Sequence, residues 1–193
     1  MDSSWSAFSI KKISSSSSLP EIENTISYLH SLSARIKDFF LSLNSIQDTG
    51  FSSSDLIHQL LFPPNNEVVY LLQSSQEDKN QYVGCVLLQP LSPSSQKIEE
   101  FGLSRWAATA GERRIWFFHT LMLEPSLHSK GVGKWFVQRV LEDLEEGESV
   151  TLDCWEGNGK LRAFYRDAGF EEIAILPQED YWIAVFVWRK GST

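Results

Sequence analysis

The stretch from Arg114 to Gly147 constrains the fold of this chain more than any other. An apolar, strand-like run from Ile115 to Leu123 passes through a turn holding Gly131 and Gly133 and continues directly into an amphipathic segment. There Phe136, Val137, Val140, Leu141 and Leu144 recur at i, i+3, i+4 spacing, which sets them on one face of a helix, and Gly147 is a stop signal. The first N–H groups of a helix have no partner within it, so a helix opening out of a glycine turn directs several free donors at one place. Such a turn can cradle a phosphate.

Composition narrows what this element can serve. With 193 residues, 42% hydrophobic and 12% aromatic, the chain suits one globular domain with a sizeable core. The formal charge of −8 leaves no basic stripe to replace the counterions of a nucleic acid, and it is also ordinary for a soluble protein. Cys85 and Cys154 both sit in apolar runs, so buried reduced thiols are expected rather than a disulfide or a metal site. The sequence has no apolar run long enough to span a bilayer and lacks the apolar block of a signal peptide, so a cytoplasmic location and no membrane partner are expected.

In chain order, Trp5 to Ile13 reads as a first strand, at an edge, followed by the serine run from Ser14 to Ser18 as a linker. Ser18 and Glu21 have capping-box spacing. The apolar series from Ile22 to Leu43 predicts one long helix or two stacked ones over Leu19 to Leu43, and a shorter helix is expected from Ser54 to Phe62, stopped by Pro63 and Pro64. Val68 to Gln73 and Tyr82 to Pro90 read as a hairpin. The segment from Leu91 to Arg113 reads equally as a hairpin extension, a short helix around Trp106 or a flap. Beyond the central element come a strand over Ser149 to Trp155, a helix over Gly159 to Asp167 ended by Gly169, and strands over Glu171 to Leu176 and Tyr181 to Arg189. This order predicts an α/β mixed sheet with helices on both faces.

Two common phosphate-turn motifs fail on the residues. A Walker loop needs an upstream glycine and a Ser or Thr where Trp135 follows Lys134, and the dinucleotide fingerprint needs a third glycine where Phe136 stands. The turn HSKGVG instead resembles the acyl-CoA signature of the GNAT superfamily of N-acetyltransferases: Gln or Arg, two residues, Gly, one residue, then Gly or Ala. Gly131 and Gly133 match, and His128 departs from the first position. A second stretch, NGKLRAFYRDAGF from Asn158 to Phe170, is similar to the family's other signature, an Asn after a strand and a helix bearing Tyr that ends in Gly-Phe. Both lie in the family's order with a strand on each side.

The resemblance implies the GNAT acyl-CoA N-acyltransferase fold, with a mostly antiparallel central sheet, over a single domain spanning 1–193. It also implies acetyl-CoA as cosubstrate, no metal, and transfer to a primary amine of a small molecule or peptide by direct attack. The backbone of Leu121, Met122 and Leu123 would pair with the pantetheine amides. His128, Ser129, Lys130, Gly131, Val132, Gly133 and Lys134 would hold the pyrophosphate, with Asn158 and Phe164 as further contacts. Glycine is needed there because backbone must approach phosphate with no Cβ in the way. His128 carries a full charge only when protonated, so backbone groups would carry most of the phosphate affinity.

Tyr165 matches the proton donor to the coenzyme sulfur. A phenol with a pKa of about 10 keeps its proton at neutral pH, although the same residue also reads as a half-buried aromatic. Asn158 reads equally as a helix cap. The base has three readings: His119, at the position of a strand histidine in the arylalkylamine N-acetyltransferases, whose second histidine is replaced by Phe117; Glu156; or water with no single base. His119 also reads as a core residue, and alternation places it on the face of Phe117, Leu121 and Leu123. Trp106, Trp116, Trp155 and Trp182 are candidates for an aromatic acceptor cage, with Asp180 and Tyr181 near its entrance. His128 and the missing acidic base leave a second function open, a GNAT-fold acyl-CoA-binding regulatory protein without turnover. A homodimer is left open as well.

Overall fold

The computed structural model describes residues 5–14, 16–42, 68–75, 81–109 and 114–191; the helix expected from Ser54 to Phe62 lies outside them. The elements run β1 (Phe8–Ile13), α1 (Leu19–Ser42), β2 (Val68–Ser74), β3 (Gln81–Leu91), α2 (Gln96–Glu100), α3 (Ser104–Thr109) and β4 (Ile115–Leu123), then α4 (Val132–Glu142), β5 (Ser149–Trp155), α5 (Gly159–Asp167), β6 (Glu171–Pro177) and β7 (Trp182–Arg189). A single 3₁₀ turn, Pro125–Leu127, joins β4 to the glycine turn. The seven strands form one sheet in the order β1-β2-β3-β4-β5-β7-β6. β4 and β5 are parallel, while β1 with β2, β5 with β7 and β6 with β7 are antiparallel. This is the expected mixed sheet, with β1 at an edge.

The chain gathers into two compact units, one of Met1–Leu87 with Thr120–Gly133, the other of Leu88–His119 with Lys134–Thr193. In the first, the Glu21 half of the capping box forms: the backbone N–H of Ser18 donates to Glu21 Oε2 at 3.1 Å, and the Ser18 hydroxyl donates to the same oxygen at 2.9 Å. Glu21 also pairs with Lys11 of β1 at 2.9 Å. One face of α1 buries Leu29 and Leu32 against Ile13, Val69, Leu71, Cys85 and Leu87. Trp5 precedes β1, which starts at Phe8 and not at Trp5 as the alternation suggested.

In the second unit the two faces of the strands are covered by different helices. Ile115 of β4 and Ile183, Val185 and Val187 of β7 pack with Ile98, Phe101, Leu103 and Ala107 from the α2–α3 segment. Phe118 and Phe186, pointing the other way, pack on Tyr165 of α5. β3 runs one residue past Pro90, to Leu91, and the stretch after it forms two short helices, α3 carrying Trp106, whose side chains are core and not flap. α4 buries Phe136, Val137, Val140 and Leu141 as the periodicity requires, each such side chain contributing about 1.5–3 kcal/mol. The other sheet edge, β6, carries a bulge between Glu172 and Ala174 and leaves Ile173 and Ile175 exposed.

Candidate active site

In the first unit, β4 ends against the backbone of β3. A Cβ on Gly84 would stand 2.9 Å from the carbonyl oxygen of Met122 and 2.5 Å from Leu123 Cδ2, so only glycine allows this approach. Glu124, next in line, donates its N–H to the Val83 carbonyl at 2.8 Å and pairs through its carboxylate with Arg35 Nε at 3.0 Å. The strand end carrying Leu121, Met122 and Leu123 is thus fixed from both sides before the chain turns.

The turn itself holds two left-handed residues, Ser129 at φ 59° and Gly131 at φ 81°, on either side of the exposed Lys130. Glycine tolerates such a φ at no steric cost, and Gly131 is followed at once by Val132, the first residue of α4, then by Gly133. The unpaired N–H groups of that first turn and the exposed Gly131 backbone suit the oxygens of a pyrophosphate. His128 does not point its Nε2 outward: this nitrogen lies 3.1 Å from the Leu123 carbonyl oxygen, to which it donates. The residue that departs from the signature ties the turn back to the strand.

In the second unit, Tyr165 is buried among the rings of Phe118, Phe164, Phe170 and Phe186, at centroid distances of 5.2 to 6.4 Å. Burial raises its phenol above the ordinary value, with Cys154 and Asp153 adding to the effect, so the proton stays on oxygen at any physiological pH. Asn158 caps α5, its Oδ1 accepting from Leu161 N at 3.0 Å, which is the capping role the sequence allowed.

His119 stacks on Phe117, with centroids 5.3 Å apart and planes 14° from parallel, so alternation holds from Phe117 to His119. Beyond it, Thr120 sits at φ 56°, an irregularity within the continuous strand β4. Burial, with the nearby charge of Lys97, lowers the His119 imidazole to about 4. It is neutral at pH 7 and weakly basic, well below the range where a general base works best. Glu156, the other candidate, is engaged by Arg162 at 3.1 Å, and Arg162 also grips Glu172 on β6 at 2.6 Å.

A residue that sequence reasoning passed over is Asp153. The register sets it opposite Val185, on the sheet face that carries Phe117, and burial raises its carboxyl while Lys97 opposes the rise. Lys97 lies 4.7 Å above the Phe117 ring. A lone carboxyl between apolar neighbours in SVTLDCW was the signal available. The four tryptophans form no cage. Trp106 packs on the core under Arg189, Trp116 is buried with Arg114 over its ring, and the exposed Trp155 and Trp182 point to opposite faces because Trp155 pairs with Ile183. Asp180 and Tyr181 lie in an exposed turn. Among the described residues no cluster of His, Cys, Asp or Glu could hold a metal ion.

Residues 37–170 match the model of the acetyltransferase (GNAT) family, and the chain belongs to that family. Solved structures of similar fold include Arabidopsis thaliana NAA60 in complex with acetyl-CoA, at 13% identity and TM-score 0.61 over 94% of this chain and 98% of that one. A variant of the spermidine N-acetyltransferase SpeG from Vibrio cholerae matches at 15% identity and TM-score 0.59, covering 96% and 95%. The ribosomal-protein-S18-alanine N-acetyltransferase of Escherichia coli matches at 11% identity and TM-score 0.55, covering 95% and 96%. No curated protein sequence matches at a significant level.

Proposed function

We propose that the protein is an acetyl-CoA-dependent N-acetyltransferase that acts on a primary amine of a small molecule or peptide within a ternary complex. The observation that carries this reading is the conformation of the turn opening α4, where Gly131 at φ 81° leaves exposed backbone at a helix N-terminus. Among the solved structures of similar fold, one holds acetyl-CoA, and the others are named for acceptors as different as spermidine and a ribosomal-protein alanine. Acetyl-CoA supplies an acyl group activated as a thioester; the chain supplies binding and proton handling.

The turn from His128 to Gly133 and the start of α4 hold the phosphates. Tyr165 keeps a proton ready for the sulfur that departs, since a buried phenol stays protonated and can donate. Asp153 takes the proton that the amine must lose. A carboxyl raised by burial is a stronger base than an ordinary one, and as an anion it attracts an ammonium group before deprotonation. His119, neutral at pH 7, relays protons through water at most. The balance is two protons from the ammonium nitrogen, one to Asp153 before attack and one to water after it, against one from Tyr165 to sulfur; both residues return to their starting state through solvent, with one proton released net.

The test is release of free CoA across a panel of polyamines, aralkylamines and peptides with free N-termini. Turnover with at least one amine is expected, and Tyr165→Phe should lower kcat about a hundredfold, the lower end for a general acid, with acetyl-CoA affinity retained. Calorimetric binding of acetyl-CoA with no CoA release across the whole panel would support a regulatory acyl-CoA-binding protein instead.

A further inference from the structure

We propose that Trp5 belongs to the cosubstrate site and that its indole is the surface on which the adenine nucleotide end of coenzyme A stacks. This rests on the reading of the glycine turn as the seat of the pyrophosphate. A Cβ on Gly131 would lie 3.5 Å from Cη2 and 3.7 Å from Cζ2 of Trp5, so the six-membered ring of the indole rests against the turn itself. Trp5 is only half-buried, steadied by the ring of Phe8 at a centroid distance of 6.4 Å. A large aromatic set against the bare backbone of an exposed glycine gains little apolar contact there, which leaves its outer surface for a ligand to cover.

The chemistry of the ligand selects the occupant. A pyrophosphate held at the turn carries its adenine one sugar away, within reach of a ring packed on Gly131. Any purine presents a π face for which an indole is a good partner. Of the other side chains of the turn, His128 is folded back to the Leu123 carbonyl and Lys130 offers charge without a flat surface.

The experiment is calorimetric binding of acetyl-CoA and of S-acetyl-4′-phosphopantetheine, which lacks the nucleotide, to the full chain and to Trp5→Ala and Trp5→Phe. Trp5→Ala should weaken acetyl-CoA about tenfold or more, the size of one base–aromatic stack, and leave the shorter thioester within about twofold. Trp5→Phe should recover most of the loss. Equal losses for both ligands would make Trp5 a brace for the turn and overturn the stacking role, as would undiminished acetyl-CoA affinity in Trp5→Ala. Failure of the unaltered chain to bind acetyl-CoA overturns the reading of the turn, and this inference with it.

Discussion

The imidazole of His119 makes stability depend on pH in a way that can be worked out in advance. Its folded value of about 4 lies below the ordinary 6.5, so between those limits the unfolded chain binds a proton that the folded chain refuses. Stability from this group is therefore complete above pH 6.5 and declines as the pH falls, with no further loss below about 4. Linkage puts the loss at about 2 kcal/mol by pH 5 and about 3 kcal/mol by pH 4. His119→Phe keeps a ring against Phe117 but cannot titrate. Urea unfolding of both proteins at pH 7 and pH 5, followed by tryptophan fluorescence, isolates the effect, because the carboxylates common to both cancel. The unaltered chain should lose about 2 kcal/mol more than the variant over that interval. Parallel losses would refute the claim that the ring is held neutral by burial.

Three further outcomes follow from the geometry. If Asp153 accepts the amine proton, kcat/KM falls as pH drops through its raised pKa, and Asp153→Asn lowers kcat by about 10² and removes that limb from the pH profile. Gly84→Ala should cost about 1–3 kcal/mol in thermal or urea unfolding, because Leu123 can swing aside but the Met122 carbonyl cannot; an unchanged Tm would show that β3 and the end of β4 have room to part. Glu172→Gln should cost about 1–2 kcal/mol at neutral pH by weakening the grip of Arg162 and Arg166. The carboxyl of Glu172 is lowered by Arg162, so its contribution is present above the ordinary carboxylate pKa and lost as pH falls below it; the variant and the parent should converge in acid.

The elements that could be read from the residues were those with long, regular patterns. α1 and α4 carry several turns of apolar spacing and α1 an explicit cap, so their existence was plain. The segment after Leu91 was opaque because α2 and α3 are each barely a turn or two long, and a helix that short shows no period; what holds them is the burial of Ile98, Phe101, Leu103 and Ala107. The irregularity at Thr120 left no trace either, since neither a glycine nor a proline marks it. Asp153 escaped notice because one polar residue in a strand passes for the solvent side of an alternation. Only the register with Val185 puts it on a covered face. Conversely, the glycine turn and the Tyr165 helix were legible because each depends on residue types that few other local structures require.

The bulge in β6 bears on how this protein behaves at high concentration. An edge strand with exposed Ile173 and Ile175 is the sort of surface on which copies of a chain add to one another as an extended ribbon. The extra residue between Glu172 and Ala174 breaks the even spacing of the strand that such stacking needs and twists it away from a flat neighbour. Removing the irregularity by deleting Ile173 would leave a smoother, still greasy border. Its cost would appear as precipitation during expression and storage, apart from any change in how the protein binds its ligands.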